Sequence, residues 1–323
     1  MKKNIIFSLL LMGTALLVTT SCSEDDLSDQ SVIKTSTQQR TDLDNWLEVN
    51  YLRPYNIQVK YRYEYNEIDE GYYTVPCSYE MAVKMAHILK YTCIDAYTDK
   101  VGIAFVRTYF PKLFIFEGEF HYRNNGSFEL GTAEGGKKIN LMGLNHIDEL
   151  GSSIEGLNNY YLHVIHHEFT HILHQTTNYS AAYQLITLKE YKSDKCFNSE
   201  FSDYLSRGFI TAYAQQAADE DFAEMYSNYV TNTAEQWEAW MKQAEHPALR
   251  DADGNLQFEG GELVYDMNAK ANGRDLIEQK LDILRSYMSS VWNIDLDVMR
   301  ESILGREQDI IDGKIDLTTT EIK

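Results

Sequence analysis

Five of the nine histidines in the chain lie within one stretch of twelve residues, His163-Val164-Ile165-His166-His167-Glu168-Phe169-Thr170-His171-Ile172-Leu173-His174. Its centre, from His167 to His171, reads H-E-x-x-H. Each residue of an α-helix turns by about 100°, so His167 and His171 project from one face, one turn apart, and can bind the same ion. Imidazole nitrogens are good ligands for Zn²⁺. The stretch therefore predicts a helix that carries two zinc ligands.

The glutamate of the motif has a different predicted role. Glu168 points about a quarter-turn away from the two histidines, where it can reach a water molecule at the metal without binding the metal itself. That is the position of a general base. The opposite side of the helix is apolar, which predicts a core-facing side. Its residues are Leu162, Ile165, Phe169, Ile172 and Leu173.

A catalytic zinc site usually has three protein ligands, and two candidates exist for the third. His174 extends the stripe of His167 and His171, but three ligands along one straight helix fit one tetrahedral ion poorly. We expect His163 and His174 to hydrogen-bond near the site or line its cleft. His166 points elsewhere and is predicted to be structural.

The second candidate lies in Glu220-Asp221-Phe222-Ala223-Glu224. Glu220 and Glu224 share one face of a predicted helix, so Glu220 would bind zinc while Glu224 would accept the free ring N–H of a zinc ligand. By spacing alone, the favoured interpretation of this pair is an exposed acidic helix face, which is common in an acidic chain.

The rest of the chain predicts an α+β fold. Short strands are indicated at 55–65, 112–116 and 137–142, and a helix capped by Ser78 runs to about residue 97. Later helices are predicted over 156–176, 180–192, 217–230, 233–245, 273–292 and 295–311. Lys137–Met142 is the candidate edge strand, which would pair with an extended peptide; ordinary sheet is the equal alternative.

The first residues indicate export. Lys2 and Lys3 precede an apolar run from Ile5 to Val18, which is too short to span a membrane comfortably. Thr19-Thr20-Ser21 leads into Cys22, which resembles a bacterial lipoprotein cleavage site, although such sites usually carry an aliphatic residue in place of Thr19. Residues 1–22 are therefore the predicted signal peptide and Cys22 the lipidated residue; an ordinary secretory signal is the alternative. Residues 23–43 are polar and predicted to be a tether.

One domain is predicted over 44–323, with a β/α part at 44–155 and a helical part at 156–323. Composition excludes some functions for it. The chain has 323 residues with 29 basic and 49 acidic side chains, a formal charge of −20, and nucleic-acid binding requires concentrated Lys and Arg. Of the cysteines that follow Cys22, which are Cys77, Cys93 and Cys196, not all can pair with one another.

His167–His171 followed by the Glu220–Glu224 segment resembles the zinc peptidase domain of anthrax lethal factor and related gluzincins, which implies a zincin-like fold. This resemblance implies that Glu220 is the third ligand and that Tyr213, seven residues earlier, faces the substrate and donates to the developing oxyanion. The motifs together with Cys22 resemble the zinc-binding metallopeptidase lipoproteins of Bacteroidetes.

Those lipoproteins are associated with substrate import. The resemblance implies a zinc-dependent peptidase, anchored by lipid to the outer membrane and exposed at the cell surface. It also implies a peptide or protein substrate, and as partners a TonB-dependent transporter and a SusD-like lipoprotein. Two alternatives remain open: a non-catalytic surface lipoprotein that binds glycan or peptide for such an import system, and a zinc amidohydrolase that acts on a non-peptide substrate.

Overall fold

The computed structural model describes residues 39–67, 71–122, 128–129, 131–134 and 138–322. From Thr41 onward the chain forms one compact unit. The predicted signal peptide 1–22, Cys22 and residues 23–38 lie outside the described residues. The tether predicted for 23–43 ends earlier than expected, because Thr41 caps a helix that begins at Asp42 and Leu43 is buried in the core.

Eight short strands occur among the described residues. They are β1 (Gln58–Lys60), β2 (Leu113–Phe116), β3 (His121–Tyr122), β4 (Phe128–Glu129), β5 (Gly131–Glu134), β6 (Lys138–Leu141), β7 (Phe258–Glu259) and β8 (Glu262–Leu263). The main sheet has the order β1-β2-β6-β5. Its first three strands are parallel and β5 runs antiparallel to β6. The pairs β3–β4 and β7–β8 are small hairpins.

Helices make up most of the remaining described structure. They are α1 (Asp42–Leu47), α2 (Arg53–Tyr55), α3 (Tyr79–Leu89), α4 (Asp95–Val101), α5 (Ile103–Tyr109), α6 (Ile147–Leu150), α7 (Ile154–Leu157), α8 (His163–Thr176), α9 (Ala182–Ile186), α10 (Ala218–Thr231), α11 (Ala234–Ala244), α12 (Gly273–Trp292) and α13 (Leu296–Ile311). Single π-helical turns join α1 to α2, α3 to α4, and α7 to α8. No helix of the described residues is long and apolar enough to cross a membrane.

The predicted edge strand is wrong in one respect. Lys137–Met142 does contain a strand, β6, but β6 lies inside the sheet between β2 and β5. β5, which precedes β6 in the sequence, pairs with it in antiparallel orientation. The edge of the described sheet on this side is therefore β5. A Cβ added to Gly131 of β5 would lie 3.2 Å from the side chain of Val164 on α8, so this edge borders the histidine-bearing helix.

Two other predicted elements are shorter than expected. The strand predicted over 55–65 reduces to β1, because Tyr55 ends α2 and Asn56 takes a left-handed conformation with a φ of 54°. The helix predicted over 180–192 reduces to α9. Thr187 leaves the helical conformation, with a φ of −126° and a ψ of 30°, and the backbone N–H of Lys192 donates to the carbonyl of Gln215 at 2.7 Å. This segment therefore folds back as a loop.

The α+β prediction is confirmed, and the core explains why α8 holds its position. Ile165, Phe169 and Leu173 of α8 are fully buried, and Phe169 packs against the rings of Tyr97 and Phe110. The apolar face of α8 thus lies in the interior while its histidine face turns toward α10. Cys77, Cys93 and Cys196 are free thiols, all buried.

Candidate metal centre

The site lies between α8 and α10, which pack against each other in antiparallel fashion. His171 of α8 contacts Glu220 in the first turn of α10, and His163 of α8 contacts Glu224, one turn further along α10. Because residues four apart share a helix face, the two helices present facing rows of side chains. The sequence motifs, more than forty residues apart in the chain, are thereby brought together.

Three ligand atoms converge at the centre of this interface. Nε2 of His167 lies 3.1 Å from Oε2 of Glu220, Nε2 of His171 lies 3.2 Å from the same oxygen, and the two Nε2 atoms are 3.0 Å apart. Tetrahedral zinc with bonds of about 2.0–2.1 Å separates its ligand atoms by about 3.3 Å. Two imidazoles and one carboxylate at this spacing fit a zinc ion in both chemistry and size.

Glu224 hydrogen-bonds to His167 on the side of the ring opposite Glu220. Its Oε1 accepts hydrogen bonds from Nδ1 of His167 at 2.8 Å and from Nε2 of His163 at 2.9 Å. Its Oε2 accepts from the hydroxyl of Thr211 at 2.6 Å and from the amide of Asn228 at 3.3 Å. Burial opposes ionisation, but these bonds and the neighbouring imidazoles hold the pKa of Glu224 well below its usual range. Glu224 is therefore an ionised, buried acceptor.

His174 lies behind His171 rather than beside the converging atoms. Its Nε2 is 2.8 Å from Nδ1 of His171, on the side of the His171 ring that faces away from Glu220. In this position His174 contacts the His171 ring and not Glu220. Of the two candidates for a third ligand, Glu220 is the one that the fold places against both His167 and His171.

The opposite charges of the imidazoles and carboxylates at the site stabilise one another. Burial alone would lower the pKa of His167, but hydrogen bonds to Glu220 and Glu224 outweigh it and raise this pKa to about 10. Burial likewise opposes ionisation of Glu220, while His167 and His171 lower its pKa. The two carboxylates thus hold positive charge at the place where the three ligand atoms meet, which is the electrostatic requirement for binding a cation.

Glu168 is half-buried beside the site, and its side chain has no hydrogen bond or ion pair to the other described residues. Burial raises its pKa, while the imidazoles of His167 and His171 partly oppose this. A carboxylate without a partner, next to the ligand group, is available to exchange a proton with a bound molecule.

Tyr213 lies on the other side of His167. The ring centroids of the two residues are 5.7 Å apart, and burial together with the carboxylate of Glu220 raises the pKa of the Tyr213 hydroxyl. The phenol is therefore a neutral donor near the site. Phe197, which is 69% exposed, stacks on Tyr213 with the rings nearly parallel at 6.0 Å.

His166 is separate from the metal-binding group. It is fully buried on the core side of α8, and its Nδ1 lies 2.9 Å from the hydroxyl of Tyr97. Burial lowers its pKa to about 3, so His166 is a neutral core residue.

Sequence reasoning missed the residues that hold the Glu220 helix in place. Nζ of Lys280 on α12 lies 2.7 Å from Oδ2 of Asp221, and both side chains are fully buried. Lys280 also donates to the carbonyl of Gly208 at 2.7 Å. Thr211 and Asn228, the further partners of Glu224, were missed as well. The one feature of the sequence that could have pointed to Thr211 and Asp221 is that both lie close to Glu220 in the chain.

A buried H-E-x-x-H helix that faces a glutamate from a second helix defines a zinc-metallopeptidase type of site. Comparison with known proteins agrees with this class. A model of the family described as "Putative zinc-binding metallo-peptidase" matches residues 36–297. The chain belongs to this family.

One solved structure is similar over nearly the whole chain: the "Crystal structure of a putative zinc-binding metallo-peptidase from Bacteroides caccae ATCC 43185". It is 32% identical, covers 90% of this chain and 100% of its own, and superposes with a TM-score of 0.69. No curated protein matches this chain.

Proposed function

We propose that this protein is a zinc-dependent peptidase that hydrolyses peptide bonds. The observation that carries the proposal is the convergence of His167 Nε2, His171 Nε2 and Glu220 Oε2 within 3.2 Å of one another. Membership of a family described as zinc-binding metallopeptidases supports the choice of metal and reaction. In this proposal His167, His171 and Glu220 hold the metal, and His174 stays an orienting residue.

Zn²⁺ in this site would supply Lewis-acid chemistry, which polarises a carbonyl and lowers the pKa of water. The protein's own residues carry the proton transfers. Glu168 accepts a proton from the attacking water and then delivers it to the leaving amine. The hydroxyl of Tyr213 donates a hydrogen bond to the oxyanion of the tetrahedral intermediate. The role of Tyr213 rests on the resemblance to the lethal factor peptidase domain and on its position beside His167.

Glu224 and His174 keep the ligands in position. An ionised carboxylate can only accept hydrogen bonds, so Glu224 keeps a proton of His167 on Nδ1, and Nε2 is the nitrogen that would lose its proton and bind the metal. His174 holds His171 through the equivalent nitrogen. Such outer partners fix the tautomer and ring orientation of metal-binding histidines.

The edge strand β5 is the proposed docking strand for the substrate. An extended peptide can add to an exposed sheet edge through main-chain hydrogen bonds. Gly131 of β5 lies against Val164, which is three residues before His167 on α8. A peptide paired with β5 would therefore pass the start of the zinc-binding helix.

The proposed location is the outer surface of the outer membrane, with a lipid anchor at Cys22. Support comes from the basic residues Lys2 and Lys3, the apolar run that follows them, and the small residues before Cys22. A TonB-dependent transporter and a SusD-like lipoprotein are the proposed partners, by resemblance to import-associated lipoproteins. In bacteria expressing the full chain, Cys22→Ser should abolish incorporation of labelled palmitate and release the protein from the membrane fraction; unchanged labelling would contradict the anchor.

The activity is tested with the zinc-loaded protein and a mixed-sequence peptide library, with products identified by mass spectrometry. Cleavage at backbone amides that disappears in Glu168→Gln is the expected result. Cleavage confined to non-peptide amides would favour the amidohydrolase alternative. Full zinc occupancy without any cleavage would favour a binding lipoprotein.

A further inference from the structure

A cavity of about 940 Å³ opens beside the metal centre, at the carboxyl end of α10. Asn228 and Thr231 of α10 line it, together with Thr211. Thr211 and Asn228 also hydrogen-bond to Glu224, so the cavity and the metal centre share one wall. Glu220 lies eight residues before Asn228, about 12 Å away along the helix. Neither His167 nor His171 nor Glu220 is among the residues that line the cavity, so the cavity is distinct from the group of converging atoms.

Amides and aromatic rings characterise the lining. Six side-chain amides reach the cavity: Asn159, Asn228, Asn232, Gln236, Gln243 and Gln308. Three aromatic residues, Tyr204, Trp240 and Tyr265, line it as well. An amide group offers both a carbonyl acceptor and an NH₂ donor, and aromatic rings offer flat apolar faces. This combination suits a ligand that has many hydroxyl groups and apolar ring faces.

Helix α11 presents a regular row of these groups. Gln236, Trp240 and Gln243 are spaced four and three residues apart and so lie on one helix face. Gln236 and Gln243 are exposed, and their side chains have no hydrogen bonds to other described residues. Their amides are thus free to bind a ligand, with the indole of Trp240 between them.

The charge of the lining excludes anionic ligands. Among the described residues that line the cavity, none is Lys, Arg or His. The charged members are Glu155 and Glu262. Both are exposed, so solvent and salt screen their charges. A phosphate, sulfate or uronic acid would find no counter-charge here. The volume is at the upper end of the range for ligand-binding pockets, about 300–1,000 Å³.

We propose that this cavity is a binding site for a neutral, polyhydroxylated ligand, that is, a neutral oligosaccharide. Trp240 stacks on a ring face, and Gln236 and Gln243 hydrogen-bond to hydroxyl groups on either side. This binding does not require hydrolysis, so the result of its test does not depend on the proposed peptidase activity.

The test is direct binding to the full-length protein, measured by isothermal titration calorimetry. The probes are neutral gluco-, manno-, galacto- and N-acetylglucosamine-based oligosaccharides, with hexagalacturonate as the anionic probe and hexa-alanine as the unglycosylated peptide. Binding of at least one neutral probe is expected, without binding of hexagalacturonate or hexa-alanine. Failure of every neutral probe to bind, or binding of hexa-alanine in their place, would overturn the inference.

Variants locate the binding. Gln236→Ala and Gln243→Ala should each weaken it by about five- to tenfold, which is typical of one lost hydrogen bond. Trp240→Ala should weaken it further. Trp240 packs partly against the core, so the thermal unfolding of the Trp240→Ala protein is measured in parallel. If that variant does not fold, the two glutamine variants provide the test. Gln184→Ala, on the exposed surface of α9, is the matched control. Affinity unchanged in both glutamine variants would contradict the proposed site.

Discussion

Oε1 of Glu224 accepts a hydrogen bond from Nδ1 of His167 at 2.8 Å, while Nε2 of the same ring faces Glu220 at 3.1 Å. The two glutamates are one helical turn apart on α10, and each contacts a different nitrogen of one imidazole. In the proposed function, Glu224 fixes the tautomer of His167 and Glu220 completes the group of metal-binding atoms. The following experiments separate these two proposed roles of the acidic pair of α10.

Replacing Glu168 by Gln should abolish turnover and leave zinc in place. The amide cannot accept the proton of the attacking water, and loss of a general base typically reduces kcat by about 10²–10⁴-fold. Peptide cleavage and zinc content by atomic absorption are the two measurements. Glu80→Gln, an exposed glutamate on α3, is the matched control. Full activity in Glu168→Gln would show that another group transfers the proton.

Zinc stoichiometry should distinguish Glu220 from His174. Glu220→Ala removes an oxygen that lies within 3.2 Å of both ligand histidines, so the purified variant should retain far less than one equivalent of zinc. His174→Ala removes only a partner of the His171 ring and should keep the metal with weakened affinity. The reverse pattern would make His174 the third ligand.

Glu224→Gln should weaken zinc binding by about 10–100-fold, the usual cost of losing an outer hydrogen-bond partner of a ligand histidine. The amide has nearly the same shape but carries no charge. Competition with a chelator gives the affinity, and circular dichroism checks the fold. The exposed Glu235 on α11 supplies the control, Glu235→Gln. Equal affinity for the wild type and Glu224→Gln would mean that Glu224 has only a structural role.

Glu307 should make stability fall as pH rises. Its side chain is fully buried, one oxygen accepts from Asn158 at 2.9 Å, and burial raises its pKa to about 8. The folded protein therefore binds this proton more tightly than the unfolded chain, whose glutamate has a pKa near 4.3. Between these two values the folded state holds more protons, so the free energy of unfolding decreases with increasing pH.

Glu307→Gln removes this dependence, because the amide does not titrate. Relative to the wild type, the variant should gain up to a few kcal/mol of stability between about pH 5 and about pH 8.5. Urea unfolding of both proteins at each pH gives the difference. Glu301→Gln, an exposed position on the same helix, should show no such gain. A constant difference between Glu307→Gln and the wild type across this window would contradict the assignment.

The Asp221–Lys280 pair should be important for stability. Lys280→Met leaves a buried carboxylate without its counter-ion, which typically costs about 3–5 kcal/mol. The Asp221→Asn/Lys280→Met double variant removes both charges and should recover much of that loss. Urea unfolding measures both, with the exposed Lys242→Met as control. If the single variant unfolds at the wild-type urea concentration, the pair does not anchor α10 to α12.

Local sequence predicted the later helices well. The boundaries expected for α10, α11, α12 and α13 differ from those observed by one residue or less. The helix expected over 156–176 is α-helical only from His163, where α8 follows α7 and a π-helical turn. Helix ends can be specified by local side chains. Ser78 and Thr233, for example, cap their helices through side-chain oxygens, each accepting a backbone N–H from three residues further on. Such signals lie within a few residues of the elements that they specify.

Other elements depended on contacts outside their own segment. β6 lies inside the sheet because it pairs in parallel with β2, much earlier in the chain, as well as with the adjacent β5. The loop after α9 contains a contact between Lys192 and the distant Gln215. A single segment does not encode the pairing of β6 with β2 or the contact of Lys192 with Gln215. The same holds for Lys280, whose role appears only when α12 packs against α10 and buries it against Asp221.

The sequence by itself determined the H-E-x-x-H helix, its core face and its histidine face, because 3.6-residue periodicity sets which side chains share a side. It also supplied Glu220 and Glu224 as candidates on one face of a second helix. Only the tertiary structure decided that these faces meet, with Glu220 against His167 and His171, and His174 behind them. The packing of these two helices depends on contacts between residues that are distant in the sequence. The surface and charge that it buries cannot be read from either helix alone.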